Sequence, residues 1–185
     1  MSCNSTLAPL ALFLLALSTP AGATPLRDAG TGLTFEPPPG YSVSAVPTTG
    51  AQSARFALRR PEDQDTGCQI AYAPAPQNAQ LTQPQINELT RTPGWQALAR
   101  ARLAPLYDVL EQSVFDQGGI LGLKLVGDLR PREGLPARAQ VLRSFFAIQE
   151  TPRGRTTLVC VAEKPSFATR RAEFEALARS IVPPR

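Results

Sequence analysis

The sequence contains no histidine. That gap removes the Ser-His-Asp and Cys-His mechanisms, in which imidazole carries the proton, together with the ordinary zinc sites in which it binds metal. Other catalytic signatures are missing as well. No serine stands in G-x-S-x-G, and Gly118-Gly119-Ile120-Leu121-Gly122 lacks both the lysine and hydroxyl of a phosphate loop and the spacing of a dinucleotide fingerprint. The acidic stretch Glu62-Asp63-Gln64-Asp65-Thr66-Gly67 is no calcium loop: its glycine comes too early after Asp63, and Pro74 stands where a bidentate glutamate should close the site. It reads as a solvated hairpin tip. No cofactor, metal or catalytic residue is expected from these patterns. Lysine is scarce too, Lys124 and Lys164 being the only two among 19 basic residues. That bias is what GC-rich coding produces.

Long apolar runs are limited to one, Leu7 to Leu17, followed by Ser18-Thr19-Pro20 and the small-residue site Ala21-Gly22-Ala23. Apolar run, helix breaker and A-x-A site in that order predict a secretory signal peptide over 1–23, cleaved between Ala23 and Thr24. At about 1.5 Å per residue the run reaches only about half of a roughly 30 Å hydrocarbon core, so a permanent span is disfavoured. No Lys or Arg precedes the run, which departs from the usual signal pattern. Cys3 lies ahead of the run rather than at the cleavage point, which argues against a lipid-anchored cysteine. The expected working protein is therefore a single periplasmic or secreted domain over 24–185, with no transmembrane span after cleavage.

Two cysteines, Cys68 and Cys160, remain in that region. In an oxidising compartment their pairing is the simplest expectation, worth roughly 4–5 kcal/mol through lost denatured-state entropy. Two buried thiols or a redox pair are the alternatives, the latter without C-x-x-C support. The formal charge is +4, and it is uneven: residues 24–117 hold 7 basic and 9 acidic side chains, residues 118–185 hold 12 and 6. Arg130, Arg132, Arg138, Arg143, Arg153 and Arg155 fall around the last predicted hairpin and suggest a positive face for an anionic partner. Strand-edge charges that discourage aggregation explain the same pattern. Export makes nucleic acid an improbable partner and anionic lipid or glycan an accessible one.

Along the chain, Leu33–Glu36 and Tyr41–Val46 read as short strands around Pro37-Pro38-Pro39-Gly40. In Arg55–Arg59, Phe56 and Leu58 share one face and Arg55 and Arg59 the other; in Cys68–Tyr72, Cys68, Ile70 and Tyr72 point one way. Thr82 and Gln85 have capping-box spacing for a short helix, and Thr92-Pro93 starts a second in which Trp95, Leu98, Leu103 and Leu106 recur. Trp95 is expected to pack on the sheet. Pro105 should kink or split that helix, and Val109, Leu110, Val114 and Phe115 predict a further helical piece stopped by Gly118. A strand over 120–127, a hairpin of Val141–Gln149 with Thr156–Ala162, and a terminal helix capped by Ser166 follow. Phe174, Leu177, Ala178 and Ile181 form the apolar stripe of that helix.

Strands, a helical middle, three more strands and a closing helix predict an α+β fold with an antiparallel sheet flanked by helices. This order, together with Leu33-Thr34-Phe35-Glu36-Pro37 through Pro39-Gly40-Tyr41 and the closing hairpin plus helix, resembles the PsbP-like superfamily. The resemblance implies an α/β/α sandwich that works by binding partners, and it transfers no catalytic residue to any position here. The favoured function is accordingly a non-catalytic exported binding or accessory module whose partner is an unidentified protein or envelope component. Two alternatives stand beside it: an enzyme using carboxylate or thiol chemistry, and an envelope-surface protein that binds anionic lipid or glycan through its basic face. The sequence does not indicate an oligomeric state.

Overall fold

A computed structural model describes residues 24–185; the expected leader, residues 1–23, lies outside them. Seven antiparallel strands form the main sheet. In spatial order they are β3 (Ser42–Ala45), β4 (Ala54–Arg59), β5 (Gly67–Pro74), β9 (Gly154–Glu163), β8 (Leu142–Thr151), β7 (Ile120–Leu129) and β6 (Tyr107–Gln117). Two meanders, β3 to β5 and β6 to β9, are thus zipped together along the β5–β9 seam. Cys68 and Cys160 lie directly opposite each other on that seam and are joined by a disulfide spanning 92 residues of sequence. The bridge ties the first meander to the last strand, the longest-range pairing in the sheet.

One face of the sheet is covered by α4 (Phe167–Ser180) and by the small hairpin of β1 (Leu26–Arg27) and β2 (Thr34–Phe35). Here the alternation of the strands delivers Phe56, Leu58, Ile70, Phe145 and Leu158 onto Phe35, Phe174 and Leu177, all of them buried. The stripe expected for the last helix is the one buried: Phe174, Leu177, Ala178 and Ile181 are each 1% exposed. Ser166 stands at its N-cap position, as expected, but makes no side-chain cap bond. The side chain turns back and donates to the Glu163 carbonyl at 3.2 Å, because a 3-10 turn over Lys164–Ser166 precedes the helix.

The opposite face carries α1 (Gln83–Arg91) and α2 (Pro93–Leu103). Gln85 Oε1 accepts the Thr82 backbone N–H at 2.8 Å, and Thr92 Oγ1 accepts that of Trp95 at 3.3 Å, so both starts are capped as their spacing suggests. α2 stops at Leu103, two residues before Pro105, whose ring and missing N–H deny the helix continuation. Trp95, Ala99 and Leu103 rest on a smaller cluster of Leu123, Leu125 and Phe146. These helices lie mainly over β6 to β8, and α2 also borders Arg155 and Thr157 of β9. Among the described residues no helix packs closely on the same face of β4 and β5.

The helix expected through Val109–Phe115 is instead strand β6, and Gly118-Gly119 is a hairpin turn with φ of +56° and +81° rather than a helix stop. A β-bulge between Val109 and Glu111 is the reason. One inserted residue reverses the parity of the alternation, so Val109 and Phe115 reach opposite faces of the sheet and their spacing imitates a helical period. Phe115 crosses Gly122 of β7, where a Cβ would meet its ring at 2.5 Å. Strand β1, the four-residue helix α3 (Ala137–Gln140) and the fourth late strand are additions to the expected order.

Candidate functional site

The titratable side chains are largely spent on one another. At the end of the sheet nearest α4, Arg170 donates to Asp63 at 2.5 and 3.0 Å and to the Tyr41 hydroxyl at 2.6 Å. Tyr41 in turn donates to Glu173 at 2.9 Å, and Arg60 pairs with Glu173. Burial raises the Tyr41 pKa against the pull of Arg170, which keeps the phenol protonated as that donor. For Asp63 burial pushes the carboxyl up, but bonds from Arg170, the Arg60 backbone and Thr66, with the Arg170 charge, hold it at about 2. Arg60, Asp63 and Arg170 of this network line a polar cleft of about 560 Å³ between the β4–β5 loop and α4.

Other carboxylates are held in the same way. Bonds from Arg138 lower Asp65. Burial of Asp128 is outweighed by Arg143 and Lys164, and burial of Glu175 by Arg171 and Lys124. Each of these groups is kept ionised, the opposite of what a general acid needs. Among the described residues both cysteines are in the disulfide, so neither offers a thiolate.

The six arginines grouped by the sequence do not form one face. Arg130, Arg132, Arg138 and Arg143 gather where β7 ends and β8 begins, whereas Arg153 and Arg155 flank the β8–β9 turn at the other end. A ten-residue strand of about 3.4 Å per residue separates the two groups. Four of them are balanced by carboxylates: Arg130 by Asp108, Arg138 by Asp65 and Glu163, Arg143 by Asp128, and Arg155 by Glu150. Arg153 donates to the Arg185 backbone carbonyl, and Arg132 is exposed in the loop before α3.

A different set converges on the uncovered sheet face. Arg55 on β4 is tied only to neutral acceptors, Gln69 Oε1 at 2.7 Å and the Pro47 carbonyl at 3.1 Å. Arg59, four residues along the same strand, and Arg102 on α2 have no carboxylate partner among the described residues. Arg59 borders a separate concavity beside Asp65, whereas between Arg55 and Arg102 run Ala71 and Ala73 of β5 and Thr157 of β9, whose small side chains leave a depression of about 200 Å³. It shares Arg155 and Thr157 with a second concavity of about 210 Å³ under α2, lined by Trp95, Leu98, Leu103 and Ile148. The result is a trough with an apolar end and a cationic end. Sequence spacing signalled only part of this: it put Arg55 and Arg59 on the outer face of β4, but only the sheet order sets Arg102 on the same face.

No family model and no curated protein sequence matches the chain. Among solved structures it is similar to cyanobacterial PsbP (CyanoP) from Synechocystis sp. PCC 6803, at 12% identity and a TM-score of 0.58 over 93% of this chain and 98% of that one. It is also similar to LpqN, involved in cell envelope biogenesis of Mycobacterium tuberculosis, at 13% identity and a TM-score of 0.47 over 86% and 90%. At such identity the first of these establishes the fold. The chain has the PsbP-like α+β sandwich.

Proposed function

We propose that this protein is an exported, non-catalytic binding or accessory module that takes its partner on the open sheet face beside α2. The observation that carries the reading is the trough itself. It joins a partly exposed tryptophan cleft to guanidinium groups that no carboxylate of the described residues neutralises, on the only large sheet surface left without a covering element among those residues. The ionised, arginine-bound carboxylates and the closed disulfide weigh against acid–base or thiol chemistry, and the leader over 1–23 supports a site of action outside the cytoplasm. No helix of the described residues is long and apolar enough to cross a membrane.

The test is capture from a periplasmic extract on immobilised protein. The expected result is a component retained by the wild type and lost by the double variant Arg55→Glu with Arg102→Glu, whose melting temperature stays unchanged. Retention of nothing beyond background refutes the reading.

A further inference from the structure

Helix α2 buries no residue completely, and Leu98 stays 52% exposed at the mouth of the cleft. The cleft walls are Trp95, Leu98, Ala99, Leu103 and Ile148, so its interior is apolar. At about 210 Å³ it holds roughly seven water-sized volumes, room for about the last seven carbons of one alkyl chain whose remainder lies along the trough. Two guanidiniums border it. Arg155 is already neutralised at 2.5 Å by Glu150, which is itself buried and also held by Asn78. Arg102 is the uncompensated one, and Arg55 follows it across the trough. From Ile148 on β8 to Arg55 on β4 is three strand spacings, about 14 Å.

These features ask for two chemistries in one molecule. A small anion alone leaves the apolar walls wet, and an uncharged alkyl group leaves Arg102 without a counter-charge in reach. A ligand with a short alkyl end and an anionic end satisfies both. We infer that the α2 cleft binds a monomeric single-chain anionic amphiphile, its alkyl end against Trp95, Leu98 and Ile148 and its phosphate or carboxylate on the Arg102 side of the trough. This inference rests on the binding-module reading and specifies its ligand.

Trp95 is the only tryptophan of the chain, so its fluorescence reports the cleft directly. Titration of the full protein with decyl phosphate below its micellar concentration should give a saturable emission change. Binding of decanol should be about tenfold weaker, as expected for loss of a charge-assisted contact, and inorganic phosphate should leave the emission unchanged. Arg102→Gln should weaken decyl phosphate about fivefold. Leu98→Asp, also at an exposed position, should abolish the response while circular dichroism stays native. No saturable change, equal binding of decanol, or a response to phosphatidylglycerol vesicles without one to the monomer each overturns the inference. If the capture experiment retains a component while decyl phosphate fails, only the ligand assignment falls; if decyl phosphate binds and capture recovers nothing, the reading of a partner docked on the open face is refuted and the cleft ligand stands.

Discussion

Replacing Asp63 by alanine should destabilise the protein by about 3 kcal/mol, the lower part of the range for breaking a buried ion pair. The figure follows from the surroundings of Arg170. Its side chain is 10% exposed and that of Asp63 is 2% exposed, so water replaces the lost carboxylate poorly. Arg170 would keep only the Tyr41 hydroxyl as a hydrogen-bond partner, since its Nε already has none. The β4–β5 loop would also lose the bonds that Asp63 accepts from the Arg60 N–H at 3.0 Å and the Thr66 hydroxyl at 2.7 Å. The lowered carboxyl pKa gives an independent measure. A shift from 3.8 to about 2 corresponds to about 2 kcal/mol. Because the folded pKa lies below the unfolded one, this contribution is present above pH 3.8 and is lost as pH falls towards 2.

Urea denaturation reads both effects. At pH 7 the midpoint should fall by about 1.5 M for a slope near 2 kcal/mol/M, with the slope unchanged. Between pH 4 and 2 the stability difference between wild type and Asp63→Ala should shrink by about 2 kcal/mol. Adding Arg170→Met should recover at least half of the loss, because the stranded charge goes with it. A difference below about 1 kcal/mol at pH 7, or one that stays constant down to pH 2, refutes the reasoning.

Further outcomes are expected elsewhere. Cys68→Ser with Cys160→Ser should cost about 4 kcal/mol in non-reducing denaturation, since the bridge spans 92 residues; no loss of stability would show that it constrains little. Gly122→Ala should cost about 1–3 kcal/mol in thermal unfolding, because the new methyl meets the Phe115 ring at 2.5 Å and the Ile148 carbonyl at 2.8 Å. Phe115→Leu in the same chain should return part of that, and an unchanged melting temperature in Gly122→Ala would count against the contact. N-terminal sequencing of the exported protein should begin at Thr24; a start at Met1 would remove the leader.

Much of the fold was legible because its local signals agree with its tertiary environment. The alternation in Arg55–Arg59 and Cys68–Tyr72, the Thr82/Gln85 cap and the stripe of the last helix each describe a segment whose burial pattern has a single period. Strand β6 was not legible for the converse reason. It lies at the sheet edge with most side chains partly exposed, and its bulge breaks the period that a sequence reading depends on. The α3 turn and β1 are too short to carry a pattern.

The sequence alone determined that no imidazole is present, how much charge there is and where it falls along the chain, and that an apolar run over Leu7–Leu17 precedes a region with two cysteines. These follow from residue types and local order, which folding does not alter. Tertiary structure alone decided which charges cancel. Arg138, Arg143 and Arg155 look available in the sequence, yet each meets a carboxylate brought from another segment or across a turn. Arg55, Arg59 and Arg102 meet none among the described residues, because the β5–β9 seam leaves their side of the sheet uncovered beside α2. Electrostatic balance depends on distance in space, and strand order sets that distance.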